Sequence, residues 1–567
     1  MAEMVLPGVY VEVRPEGLIV PGRVGVNTVG IVGTAGRGAL DTPVVLGSYT
    51  EAVERFGPYD RWLDGASDEL TLTRALELVF MHGATTVIAV RVGAKDANGN
   101  PTASAGTVTL NDASAAAVAT LDARSPGTWG NDLRVNVWDA DEPPFVEAEE
   151  HNGAPANLTH SPVLKSARNR IEQFEGATGF TRTLEILYDG DPAPTGRQVL
   201  IDRATGGLTF GTPPDTADKI VASYAVDAAS GVKVTIRQMR GAEVAAEETY
   251  TVVSGTDLVT TVNDELAPSA LVTASAGAGG LPAKSESATA FLPFTGGANG
   301  AEAGAGDYKA GLDLLLNEDA HIMVAAGQDA SFADELDAHC QNASTDAIKH
   351  DRIGVIGSGL GAAGSLDAVR GHTIASDRIV FVAPGVQVND SAGPGQPLVN
   401  LPGSYAAAAV AGRLAFYPAH VSLTNKTLAV SGLTEVFTPP QLGQLLKARV
   451  LPLERRQGFR IVRGITTSTN SAWLQITTRR IVDYAKYGVR SAAEPYIGLL
   501  NNSRVRGAMR ATINSFLSEM VEDEMLVGYE LDVTATRDDE RKGVAKVTMV
   551  LRPVFSIDFI KVTMFLE

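Results

Sequence analysis

The stretch TTVIAVRVGAKDANGNPTASAG, residues 85–106, is where the chain changes character. Its first eight residues are an almost unbroken apolar run, the pattern of a strand buried on both faces. From Lys95 the run gives way to Asp, Asn, Gly and Pro, the composition of a connection. What lies before this junction alternates strands with helices, and what lies after it is dominated by strands.

Upstream, Thr28–Thr34 reads as an apolar strand followed by a glycine-rich turn, and Pro43–Leu46 as a short strand. A small helix is expected near Thr50–Phe56 and a second at about Asp68–His82, where Leu70, Leu72, Ala75, Leu76, Val79 and Phe80 give a broad apolar face. These are the opening elements of an α/β layer. Downstream, WGNDLRVNVWD, TRTLEILYDG, GRQVLIDRATGGLTF, KIVASYAVDA and VKVTIRQM alternate apolar and polar residues between turn formers. The spacing predicts a β-rich domain over 98–289 inserted into the α/β layer, at the kind of loop boundary that tolerates insertions outward.

The α/β pattern resumes at Tyr308. A helix containing LDLLL, the strand HIMVAA, a helix around Phe332–Asn342 and the strands RIGVIGS and RIVFVA follow in order. After Pro384 a Gly/Pro-rich connection leads to SYAAAAVAGRLAF, a small-residue helix suited to close packing. From Gln441 the chain offers a helix (QLGQLLKAR), strands in FRIVRGIT and WLQITTRRIV, and a longer helix over Val505–Met520. The fold class is therefore a mixed α+β and α/β multidomain protein. Its α/β core is split into 23–97 and 290–440, and a C-terminal domain spans 441–542.

Both ends read as strands. In LPGVYVEVRPEG, residues 6–17, Val9, Val11 and Val13 alternate with Tyr10, Glu12 and Arg14. At the other end Val547, Met549 and Leu551 alternate, and Ile560, Val562, Met564 and Leu566 do so again. Neither end is capped by a charge cluster or a covering helix, the devices that usually blunt an edge strand. The two either pair within one subunit or add to sheets of neighbouring subunits.

At 567 residues the chain is too long for one core, and 44% hydrophobic with 20% charged residues marks it as globular. No apolar run reaches membrane-spanning length, and MAEMVLPGVY lacks the basic and apolar start of a secretory signal. The single cysteine, Cys340, fits folding in a reducing cytoplasm. A net charge of −19 argues against a general nucleic-acid binder. Yet thirteen Lys or Arg stand against three acids between Lys447 and Arg510. That block either faces an acidic partner or pairs with acids of the same chain.

Catalytic chemistry finds little support. GLGAAG, Gly359–Gly364, fits G-x-G-x-x-G after a strand, but the next strand ends at Ala383-Pro384-Gly385 with no acid for a ribose. The nucleophile elbow, the phosphate-binding lysine loop and H-E-x-x-H are absent from the sequence. His339-Cys340 has no second ligand pair at zinc spacing, and EMVEDE at 519–524 lacks the spacing of a calcium loop. The expectation is a protein without catalytic residues, metal or cofactor.

Several stretches together resemble the contractile tail sheath proteins of contractile-tailed phages and related injection devices. They are PGVYVEV, then TVGIVGTAGRGALDTPVVLGSYTEAVERFG, then SPGTWGNDLRVNV at 125–137, then GFRIVRGITT, ITTRRIVDY and the closing GVAKVTMVLRPVFSIDFIKVTMFLE. The resemblance leaves most of 140–290 uncovered. It implies a structural subunit that polymerises as stacked hexameric rings around an inner tube and contracts to drive the tube through a target envelope. It further implies an N-terminal arm, 1–22, with Val9, Tyr10, Val11, Glu12 and Val13 in a neighbour's sheet. A C-terminal arm, 543–567, would do the same through Val547, Met549, Leu551, Ile560, Val562, Met564 and Leu566. Arg504, Arg506 and Arg510, at the start of the matching helix, become candidates for gripping the tube. The implied partners are other copies of the chain, the inner tube protein, and baseplate and tail terminator proteins, with no nucleic acid and no direct membrane insertion. Assembly in the bacterial cytoplasm and a place in a virion tail or released particle go with that reading. The alternatives are a baseplate or surface adhesion protein using the β-rich domain, and a dinucleotide-dependent enzyme built around Gly359–Gly364.

Overall fold

Five strands whose every residue is apolar or glycine, or nearly so, cannot face water, and they form the middle of one large sheet. In the computed structural model, which describes residues 26–63, 70–176, 179–276 and 280–565, that sheet has nine strands. Their spatial order is Pro43–Leu46, Val87–Arg91, Val29–Gly33, Ile322–Asp329, Ile353–Gly357, Ile379–Ala383, Leu451–Arg455, Phe459–Ile461 and Thr427–Leu428. The six strands from Val87–Arg91 to Leu451–Arg455 are parallel, and both margins are antiparallel. Parallel strands need a cover on each face. One face is covered by the helices Thr71–Met81 and Gly403–Phe416, the other by Ala305–Leu314, Ala333–Ala343 and Pro439–Lys447.

The helix Gly403–Phe416 shows why its sequence is so poor in large residues. Twelve of its residues are buried. A side chain at Gly412 would overlap the Val79 carbonyl of the neighbouring helix, so the two backbones touch there. Small residues set that spacing, as in close helix crossings generally.

The chain divides into two compact units. The first joins 40–92 to 303–567, together with residues up to 35; the second holds 93–302 and the loop 36–39. The second unit is itself built on two cores. One lies between a four-stranded sheet, in the order Glu243–Val252, Val232–Arg240, Leu133–Asp139 and Leu292–Pro293, and a three-stranded sheet with the helix Gly255–Val262. Leu121, Val135, Ile236, Leu258 and Phe294 fill it. The other core lies on a six-stranded sheet running Leu208–Phe210, Gln198–Ile201, Thr181–Tyr188, Arg170–Phe174, Lys219–Ala225 and Phe145–Asn152. Its inward residues include Ile171, Leu184, Ile201 and Tyr224. Within this unit the entering and leaving segments run side by side, with bridges Ser104–Ala298 and Thr107–Thr295.

One expected strand is corrected. WLQITTRRIV is not extended: Ile476 onward is an 18-residue helix, Ile476–Ala493. The β-branched residues Ile476, Thr477, Thr478, Ile481 and Val482 favour a strand by propensity. Tertiary pairing overrides it. Arg479, Asp483, Lys486 and Arg490 recur at helical spacing and meet a matching set of charges on the sheet, as described next.

Candidate assembly surface

The face of Ile476–Ala493 that meets the sheet is charged. Arg479 pairs with Asp377 at 2.9 Å and with Asp483 at 2.7 Å, while Arg378 holds Asp483 at 2.9 Å and Asp351 at 3.2 Å. Asp351, wholly buried, also takes Arg490 at 2.6 Å and Lys486. A buried carboxylate survives as an ion only with such partners. Arg480, on another face, donates to the carbonyls of Leu414 and Tyr417 and to the Asn27 side chain at 2.7 Å. Burial lowers its guanidinium to about 10. This helix therefore locks the C-terminal region to the sheet.

A second helix, Ser503–Glu522, crosses it and begins with Asn502, whose side chain accepts from the Val505 N–H. At the crossing Phe516 fills the space beside Gly488, where any side chain would overlap its ring. Ile513, Leu517 and Met520 complete this small core, and the hairpin Leu526–Thr534 with Lys546–Pro553 lies over it. The hairpin is an isolated two-stranded sheet. Its connection is the short helix Arg537–Arg541, capped by Thr536, with Asp539 bound to Lys546 at 2.9 Å. The Lys546 ammonium, with Thr536, holds the Asp539 carboxyl down at about 2.

After the hairpin the chain touches the segments carrying Thr424, Arg463 and Gln475 for a few residues before its exposed end. The Asp558 side chain is 6% exposed and sits in a socket of donors: Arg463 Nε at 2.7 Å, Thr424 Oγ1 at 3.1 Å, Gln475 Nε2 at 3.2 Å and Ser556 Oγ at 3.2 Å. The Arg463 guanidinium also lies 5.3 Å from the Phe559 ring centre. Beyond this socket Ile560, Val562, Met564 and Phe565 are 73–88% exposed and join no ladder among the described residues. Apolar surface is exposed elsewhere in this region too: Ile497, Leu499 and Leu500 border a groove of about 300 Å³ that Met509 and Val547 help to line.

The rival site is less well built. Gly361–Gly364 is a single 3-10 turn followed by a five-residue helix, and Glu435 lines the neighbouring groove of about 390 Å³ with Asn400 and Thr434. A carboxylate is the wrong charge beside a pyrophosphate.

Residues 301–467 match the family model described as phage tail sheath protein central domain, and residues 468–567 match that described as phage tail sheath C-terminal domain. Residues 301–567 thus match the phage tail sheath family.

The fold agrees along nearly the whole length of the chain. The sheath tail protein of Desulfitobacterium hafniense superposes with a TM-score of 0.58 at 13% identity, over 96% of this chain and 100% of that one. The sheath tail protein of Listeria innocua gives 0.57 at 13% identity, over 95% and 94%. The sheath complex of an extracellular contractile injection system in its contracted state matches at 0.38 and 19% identity, over 44% and 72%. No curated protein matches the sequence.

The expected arm residues fall into three groups. Val547, Met549 and Leu551 lie in the hairpin, paired with Val533, Leu531 and Tyr529 of the same chain. Ile560, Val562 and Met564 lie on the exposed tail. Val9, Tyr10, Val11, Glu12, Val13 and Leu566 lie outside the described residues. Of the three arginines, Arg506 is spent internally, on Glu540 at 3.1 Å and Asn501 at 2.8 Å. Arg510 is exposed and donates to the Leu531 carbonyl, and Arg504 is exposed. Part of the basic block pairs within the chain: Arg463, Arg479, Lys486 and Arg490 meet Asp351, Asp377, Asp483 and Asp558. The Asp558 socket itself carried no sequence signal, because its partners come from positions 424, 463 and 475.

Proposed function

We propose that the chain is the structural subunit of a contractile tail sheath. It polymerises as stacked hexameric rings around an inner tube protein and shortens to drive that tube through a target envelope. The exposed alternating tail carries this reading. Residues 559–565 present apolar side chains and unpaired backbone beside a hairpin of only two strands. A strand without a ladder is satisfied by adding to a sheet of another copy, and a two-stranded hairpin can accept a strand at each edge. The N-terminal alternation at Val9–Val13 supplies a second such strand. Each copy is then tied to its neighbours by backbone hydrogen bonds that persist while the bodies repack, which lets one packing be exchanged for another without loss of connection.

Arg504 and Arg510, the two exposed arginines of the helix start, face the tube, where charge pairs can hold and then release. Baseplate and terminator proteins close the two ends of the polymer. Assembly takes place in the bacterial cytoplasm, and the product resides in a virion tail or a released particle. The work is mechanical and uses no cofactor.

The test is electron microscopy of the purified chain and of two truncations, lacking residues 1–14 or 559–567. The full chain forms striated hollow cylinders, and each truncation stays folded but unpolymerised. Normal cylinders from either truncation would falsify arm exchange.

A further inference from the structure

One corner of the first unit carries charge that the internal pairing leaves over. The hairpin joining Leu451–Arg455 to Phe459–Ile461 places Arg455, Arg456 and Arg460 together, and Lys426 comes from the adjoining loop. Arg456 and Arg460 both donate to the Asn425 side chain, at 2.9 and 3.0 Å, and Asn425 sits at a φ of 63°. These arginines are thus fixed in place rather than waving in solvent. Glu454 is paired with Arg456 at 3.0 Å, which leaves four cations against one anion. Arg455 is exposed.

The opposite imbalance stands at the end of the helix Ser503–Glu522. Glu519, Glu522, Asp523 and Glu524 are all exposed, and the last turn of this helix holds no basic residue. Carboxylates there meet the negative end of the helix dipole, an arrangement that costs stability in an isolated chain. The next residues bring Val527, 73% exposed, to the same surface. Both patches recur once per subunit, so each copy offers a cationic corner and an anionic helix end. Two different patches meeting head to tail make a heterologous contact, the kind that propagates into open helical polymers.

We infer that the corner of Lys426, Arg455, Arg456 and Arg460 docks on the acidic end of the helix Ser503–Glu522 of a neighbouring copy. This rests on the self-assembly proposed above. The contact is electrostatic and weakens with salt, unlike strand addition. It therefore supplies the part of the lattice that can let go while the arms hold.

Charge exchange tests it. One variant carries Arg455→Glu and Arg456→Glu, a second carries Glu519→Lys, Glu522→Lys and Asp523→Lys, and a third combines all five. Circular dichroism and melting temperature confirm folding, and sedimentation with electron microscopy reads polymer. Each single-sided variant raises the critical concentration at least about tenfold. The combined variant, and a mixture of the two single-sided ones, returns to within about threefold of the unaltered chain, with a salt dependence like its own. Unchanged polymerisation of either single-sided variant overturns the contact. Loss without rescue in the folded five-fold variant overturns the acidic helix end as the partner and points to another protein. If the unaltered chain forms no polymer, the sheath proposal fails and this inference falls with it.

Discussion

His339 looked like an isolated histidine beside the only cysteine, and its partner turns out to be an arginine. Arg352 Nη1 lies 3.0 Å from His339 Nε2, and the same guanidinium donates to the carbonyls of Leu315, Leu316 and Glu318. An arginine can only donate, so the ring nitrogen must accept and the imidazole must be neutral. Burial, with Arg352 beside it, holds His339 down at about 3, and burial holds His321 at about 4. The unfolded chain binds these protons near pH 6.5 and the folded chain does not. The stability they contribute is therefore complete above pH 6.5 and is lost as pH falls toward 4. His339 alone withdraws on the order of 3 kcal/mol by pH 4. Melting curves from pH 7 to 4 should show the decline, and His339→Gln, which keeps an acceptor but no titrating group, should flatten it. An unchanged slope in the variant would show that other groups govern the acid limb. The neighbouring Cys340 thiol, fully buried and pushed up to about 12, behaves as core. Nothing in the sequence around 339 signals Arg352, because the two meet through the packing of a helix on a strand.

The C-terminal helix pair, hairpin and tail show how one element's anchoring decides what another can do. The tail is released from the surface only after Asp558, and that carboxylate is held by donors at 424, 463 and 475 together with Ser556 of the tail itself. Replacing it by Ala leaves the Arg463 guanidinium with no acid and removes those bonds, at a cost of about 2–3 kcal/mol. Because the loss is local, hydrogen exchange over 554–558 should rise sharply while the nine-stranded sheet keeps its protection. Equal exchange across the whole first unit would instead mean that the socket supports the sheet. The helices were legible in part. Ser503–Glu522 falls where the sequence offers a longer helix over Val505–Met520. Ile476–Ala493 was hidden by its β-branched start, since a charged stripe reads as solvent-facing until the opposing charges are located.

For the molecule as a unit, the notable fact is that an α/β layer tolerates more than two hundred residues between two of its parallel strands. The inserted unit makes this possible by closing its own entrance, since Ser104 and Ala298 are bridged and Thr107 and Thr295 pair beside them. It also has its own two cores, so it does not borrow apolar surface for them. A chain with residues 105–297 replaced by a two-residue turn should therefore fold, with helical circular dichroism retained and a single cooperative melt. An insoluble product, or one without a melt, would show that the first unit needs the second to fold.

The sequence by itself determined the elements whose pattern is local. All-apolar runs mark the parallel strands, alternation marks the inserted strands at 133–139, 181–188, 219–225 and 232–240, and small residues mark the helix that crosses at Gly412. It also marked the resemblance to tail sheaths that the family matches bear out. Tertiary structure decided everything that depends on which distant residues meet. It split the inserted unit into two cores, turned WLQITTRRIV into a helix, and spent Arg463, Arg479, Lys486 and Arg490 of the basic block on Asp351, Asp377, Asp483 and Asp558. The reason is one of range. Backbone periodicity is written in neighbouring residues, whereas charge pairing and sheet order are fixed by contacts between segments tens to hundreds of residues apart.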